Sequence, residues 1–366
     1  MLIPALVFTL TIGLILTHDF QNKVVSTVTN NKLASSCQNY IGVDRAGLTL
    51  CVKNTILKEV KDIGYVKTAH DLESSVKEYP EINQVCHPYA HYIGIGALQE
   101  THSIVRALGD ATSFCEWGYL HGMNVEASLL YNGRDLLKVM LDGCEYLKNK
   151  NGNYFECAHG MGDSFQSKYQ NITTAYKWCD MIPDVSMHEN CSQGATNYWA
   201  DHIVLKYKSA PKLLSKDEYK LLTQNPYSFC EQISNLIDRG GCFDYAVRLD
   251  QGHIGGIKVF EKYCQKYSQE DLSNCFKGIA RELAYAEGYS LSDVYQTCLS
   301  SKDFHAISTC VVELVSSRTQ MFRDNKGMVL KNLCTYARDS HNPGLIDGCK
   351  EATADLKPYF SGTFKL

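Results

Sequence analysis

Residues 144–191 read CEYLKNKNGNYFECAHGMGDSFQSKYQNITTAYKWCDMIPDVSMHENC, two close cysteine pairs with a helix-like run after each second member. Cys144 and Cys157 stand 13 positions apart, and Cys179 and Cys191 stand 12 apart. The runs Cys157-Ala-His-Gly-Met-Gly-Asp-Ser-Phe and Cys191-Ser-Gln-Gly-Ala-Thr-Asn-Tyr-Trp lack the alternation of a half-buried strand. Toward the carboxyl end the same unit returns as Cys230/Cys242, Cys264/Cys275, Cys298/Cys310 and Cys334/Cys349. The second members recur at intervals of 34, 51, 33, 35 and 39 residues, and a period near 34 suits two short helices and their turns. The long interval coincides with the Pro- and Lys-containing stretch 206–220, which reads as an insertion between two units.

A glycine stands three positions past the cysteine in several units (Gly118, Gly160, Gly194, Gly278). Glycine inside a helix costs about 1 kcal/mol against alanine, so its recurrence points to close approach of a neighbouring helix or a ligand. Strand-like patterning is nearly absent, and the expected fold is all-α: a disulfide-stapled solenoid of αα-hairpin repeats behind an N-terminal hydrophobic segment. One bridge per unit, closing about a dozen residues, stabilises each hairpin by about 3 kcal/mol in the chain-entropy model. Connectivity does not follow from sequence. Nearest-neighbour pairing is the expectation, with Cys37–Cys51 and Cys86–Cys115 joining Cys144–Cys157, Cys179–Cys191, Cys230–Cys242, Cys264–Cys275, Cys298–Cys310 and Cys334–Cys349. In period and cysteine pairing, over Cys86 to Ala354, the chain resembles the Sel1-like cysteine-rich repeat proteins, secreted relatives of tetratricopeptide arrays. That resemblance implies helical hairpins and carries over no functional residue.

The 366 residues include 16 cysteines, far more than a reduced cytosolic domain carries, which argues for an oxidising compartment. Met1 to Thr17 holds no charged side chain and spans about 25 Å as a helix. Residues 1–20 therefore read as a signal peptide or a membrane anchor, 21–36 as a linker, and 37–366 as a single αα-repeat domain. Within that domain, His-rich units cover 86–163 and further repeats cover 179–355. Secretion or membrane anchoring through residues 1–17, outside the cytoplasm, is expected. The sequons at Asn171 and Asn190 agree with that location. With 36 Lys+Arg against 40 Asp+Glu and no long run of like charge, nucleic acid is not expected as a partner.

Five of the 12 histidines fall between Cys86 and Asp163. His87 and His91 are four residues apart, one turn apart on one helix face, and His159 and Asp163 repeat that spacing. His121 lies six residues past Cys115, the offset that Asp163 has from Cys157. Equivalent positions in stacked repeats point one way, so His87, His91, His121, His159 and Asp163 are expected to form a metal site, for one ion with an open position or for two ions sharing a carboxylate. Such a ligand set suits zinc first, with copper or iron as competitors, and disfavours calcium or magnesium. Glu126 is a weak candidate for acid/base work, and a solvated helix face explains it equally. His70, His188, His202, His305 and His341 read as surface or hydrogen-bonded core residues.

Farther along, the same offset of six carries Asn197, Arg248 and Arg281. Two arginines beside a metal suit an anionic substrate, although a solvated or ion-paired arginine is the commoner case. His253 is a further contributor to consider. There is no His-Glu-x-x-His, Gly-x-Ser-x-Gly, Cys-x-x-Cys-His or phosphate-binding loop, so familiar hydrolases and ATPases are excluded at the motif level. An extracytoplasmic metal-binding α-solenoid is the leading expectation. A metal-dependent hydrolase or oxidoreductase acting on an anionic substrate comes second, and a metal-free scaffold for protein partners on a concave face comes third.

Overall fold

The computed structural model describes residues 32–356 apart from 110–114, 116, 151–153, 250–256, 268, 286–290 and 323–327. The apolar segment 1–17 and His253 lie outside the described residues. Among the described residues all regular structure is helical. In chain order the α-helices are α1 (Lys32–Cys37), α2 (Arg45–Ile63), α3 (Tyr65–Glu78), α4 (Pro80–Thr101), α5 (Ile104–Gly109) and α6 (Gly118–Leu130). Next come α7 (Gly133–Asn149), α8 (Tyr154–Tyr169), α9 (Ile172–Cys179), α10 (Val185–Ser209), α11 (Lys216–Thr223) and α12 (Leu236–Tyr245). The last are α13 (Ile257–Cys264), α14 (Gln269–Tyr285), α15 (Leu291–Leu299), α16 (Phe304–Phe322), α17 (Met328–Ser340) and α18 (Pro343–Leu356).

Short polar side chains set the starts of several helices. Asp44, Asn171, Asp184 and Asn235 each accept from a backbone N–H in the first turn that follows, and Ser215 with Glu218 forms a reciprocal capping box at α11. Two kinds of helix then alternate. In α7 the buried residues Leu136, Leu137, Met140, Gly143, Cys144 and Leu147 form one stripe, the pattern of a helix with one face in water. In α8 every residue from Cys157 to Gln166 is buried, so that helix is covered on all sides.

The packing follows that distinction. Helices α2, α4, α6, α8, α10, α12, α14, α16 and α18 lie side by side in chain order, each against the next, and α16 also meets α4. The odd-numbered helices α3, α7, α9, α13, α15 and α17 each pack on the even-numbered helix that follows. Neighbours in the even row touch at backbone level: a Cβ on Gly122 would strike the His91 carbonyl, and one on Gly194 would strike the His159 carbonyl. The recurring glycines thus serve helix approach.

Eight disulfides join sequence neighbours, with Cα–Cα distances between 5.4 and 5.7 Å. Cys144–Cys157, Cys179–Cys191, Cys264–Cys275, Cys298–Cys310 and Cys334–Cys349 each tie an odd helix to the next even one. Cys37–Cys51 does the same for α1 and α2, and Cys230–Cys242 ties a short turn to α12. Cys86–Cys115 departs from this pattern, spanning 29 positions and fixing the turn before α6 to α4. That number of bridges fits an oxidising environment outside the cytoplasm.

Two expectations shift in detail. Residues 32–36, read as the end of a linker, form most of α1, because Leu33 and Ala34 are buried in the core. The stretch 206–220 is a one-turn overrun of α10, a short turn and the start of α11, whose Leu221 and Leu222 pack inward. Among the described residues no helix is long and apolar enough to cross a membrane.

Candidate metal centre

A cavity of about 650 Å³ receives side chains from all the even-numbered helices from α4 to α16 and from the turn after α12. His87, His91, His121, His159 and Asp163 all line it. The ligand atoms of His87, His91 and His121 lie within 4.8 Å of one another, a separation at which one ion can be shared. His87 and His91 follow one another by a single turn of α4, and their Nε2 atoms are 3.3 Å apart. An ion held tetrahedrally at about 2.0–2.1 Å from each nitrogen needs that separation, about 3.3 Å.

The His87 ring is oriented by its other nitrogen. Nδ1 donates to the Cys115 carbonyl at 2.9 Å, which fixes the proton there and leaves Nε2 as an acceptor facing the cluster. Cys115 is itself clamped: its N–H donates to Asn83 Oδ1 at 2.9 Å, and its sulfur is bonded to Cys86. The turn has left-handed backbone at both Cys115 (φ 57°) and Trp117 (φ 62°), a conformation costing about 1–2 kcal/mol per residue without glycine.

His121 stacks on His159 with ring centroids 5.3 Å apart. Its Nδ1 is 3.5 Å from Asp163 Oδ2, and its Nε2 is 3.6 Å from Glu156 Oε2. The other oxygen of Asp163 is 4.0 Å from His159 Nε2. Burial, then the nearby His87 and His121, hold the His91 imidazole well below its ordinary range. Burial, then His121 and Arg281, do the same for His159. These two imidazoles are therefore neutral near pH 7, as a metal requires. Burial pushes the Asp163 carboxyl up to about 7, against the pull of His121.

The remaining expected residues divide. Arg248 and Arg281 do line the cavity, yet both are held by carboxylates. Arg248 bonds Glu282 at 2.8 Å and Asp201 at 3.1 Å, while Arg281 bonds Asp244 through two nitrogens and Glu313 through Nε at 2.9 Å. Lys277 also reaches Asp244, at 3.1 Å. Their positive charge is thus balanced inside the protein, which leaves little of it for an anionic substrate. Glu126 accepts from Gln99 at 3.0 Å and does not line the cavity.

Sequence reading missed Glu156, Glu189, Asp201, Tyr245 and Lys277 in the lining. The position two past each second cysteine would have supplied part of it, since His159, Gln193 and Lys277 share that offset and stand one turn before Asp163, Asn197 and Arg281. His188 is a hydrogen-bonded core residue. Its Nε2 lies 3.0 Å from Asp238 and 3.3 Å from Asp180, and Ser192 and Asn235 complete that clasp between α9, α10 and α12. No family model, no curated protein and no solved structure matches the chain.

Proposed function

We propose that this is an extracytoplasmic metal-binding helical repeat protein that holds a transition-metal ion on His87, His91 and His121. The observation carrying this reading is the pair of Nε2 atoms at 3.3 Å, one of them on a ring locked by a backbone carbonyl. Two imidazoles without an ion satisfy each other through one proton, whereas three converging on one point suit a cation. Zinc is the first choice because all-nitrogen donors and a disulfide-rich setting demand no redox change, and copper and iron are alternatives. His159 and Asp163 stand against the third imidazole.

The packing of the even-numbered helices in chain order supports stacked αα-hairpin repeats, a solenoid in one domain. Contact between α16 and α4 supports a row that curves round until its second-last helix meets its second, with the cavity inside. A second reading, a metal-dependent enzyme, draws support from that cavity, which the three imidazoles line and in which an ion held by them would supply Lewis-acid chemistry. Glu156, 3.6 Å from His121, is then the carboxylate placed to handle a proton.

Elemental analysis of the full chain, produced under oxidising conditions, tests the proposal. The wild type is expected to carry zinc, copper or iron, and His91→Ala to lose about one equivalent. Equal metal in both proteins contradicts the three-imidazole site. No metal in either, after supplementation, leaves the scaffold reading.

A further inference from the structure

We infer that the cavity holds a second cation beside the first, on His159, Asp163 and Asn197, with the Asp163 carboxylate shared between the two ions. The inference rests on the proposed metal function for its neighbour and adds both a ligand, Asn197, and a two-ion centre. Three polar side chains meet there. Around His159 Nε2, Asp163 Oδ1 stands at 4.0 Å and the Asn197 amide nitrogen at 3.4 Å, and turning that carboxamide over puts its oxygen, the atom that ligates a cation, on the same side. All three residues line the cavity.

The independent sign of a ligand is a pair of buried oxygens. Asp163 is 4% exposed, and its Oδ1 makes no hydrogen bond; the buried Oδ1 of Asn197 makes none either. Leaving one such acceptor buried costs about 1–3 kcal/mol, and two in the lining of one cavity are a cost that a cation relieves. The other oxygen of Asp163 faces His121, a ligand of the first ion, at 3.5 Å. A carboxylate facing both clusters is the usual bridge of paired metal sites. The donor set of one imidazole and two oxygens is harder than the three imidazoles next to it, so it accepts zinc and favours manganese or iron(II) more than the first site does. Tyr245, whose ring is 5.4 Å from that of His159, lines the cavity beside it.

The test is a zinc titration of the metal-stripped full chain by calorimetry, with bound metal counted after dialysis. The wild type is expected to take up about two equivalents, Asn197→Leu about one and His91→Ala about one. Asn197→Asp keeps an oxygen donor and is expected to retain both ions. Far-UV circular dichroism of each variant accompanies the counts. One equivalent in the wild type that His91→Ala abolishes overturns the second site and leaves the first intact. No uptake by the wild type overturns both. Two equivalents that a folded Asn197→Leu retains, or that a folded Asn197→Asp loses, overturn the role of Asn197.

Discussion

His87 owes its aim to a chain of bonds that ends in a disulfide: Cys86 holds Cys115, and the Cys115 carbonyl holds Nδ1. Replacing Cys86 and Cys115 together by alanine is therefore expected to weaken zinc binding about 10–100-fold, as loss of a partner behind a ligand does. Removing Cys334 and Cys349, far along the chain, is expected to leave affinity unchanged. Competition with a chromogenic chelator measures both, and equal affinities contradict the role given to the clamp. Asp163 sets a second expectation. Its folded carboxyl titrates at about 7, against about 3.9 in an unfolded chain. Between those values the native state keeps a proton that the unfolded chain has released. The stability of the neutral acid is thus lost as pH rises toward 7. His91 and His159, held low by burial, run the other way: their contribution is complete above about 6.5 and is lost as pH falls. In the metal-free protein, the stability of Asp163→Asn relative to wild type is expected to grow from pH 5 to pH 8. Urea midpoints at the two pH values check this, and a constant difference contradicts it.

Among the elements, α6, α8, α10 and α14 were readable because each is marked twice, by a cysteine and by a glycine three residues later. The glycine signal has a physical basis that a substitution can expose. Gly194→Ala would drive a methyl into the His159 carbonyl, whereas a Cβ on Gly109 meets nothing within 4 Å. The first is expected to cost at least about 1–3 kcal/mol in denaturant unfolding, while Gly109→Ala is expected to be neutral or slightly stabilising. A tolerated Gly194→Ala would contradict the close crossing of α8 and α10. Less was readable where tertiary packing overrides period. The extra residues after Cys191 lengthen α10 to Ser209 and add the turn at Pro211–Leu213 and α11, and Lys32–Cys37 is helical because two of its apolar residues find the core. The 29-residue gap of Cys86–Cys115 breaks the unit spacing because that bridge serves a turn, not a hairpin.

For the whole molecule, the meeting of α16 with α4 is invisible in any window of sequence, since the two helices stand far apart in the chain. Local repetition fixed which positions share a face: the offset of six brought His121, Asp163, Asn197, Arg248 and Arg281 to one cavity. What that offset cannot show is who neutralises whom. Asp244, Glu282 and Glu313 reach the arginines from α12, α14 and α16, at offsets of two, seven and three past their cysteines that the offset of six does not include. The same limit hid Glu156, which sits one residue before Cys157 and meets His121 only through the packing of α6 on α8. The cavity's cationic side is thereby largely self-satisfied, and its unsatisfied oxygens are those of Asp163 and Asn197. X-ray absorption at the zinc edge, on full chain loaded with one equivalent of zinc, tests the central claim most directly. The account predicts a nitrogen shell at about 2.0–2.1 Å with the scattering of imidazole rings, lost when His87, His91 and His121 are all replaced by alanine. An oxygen-only shell, or an unchanged spectrum in the triple variant, would contradict it.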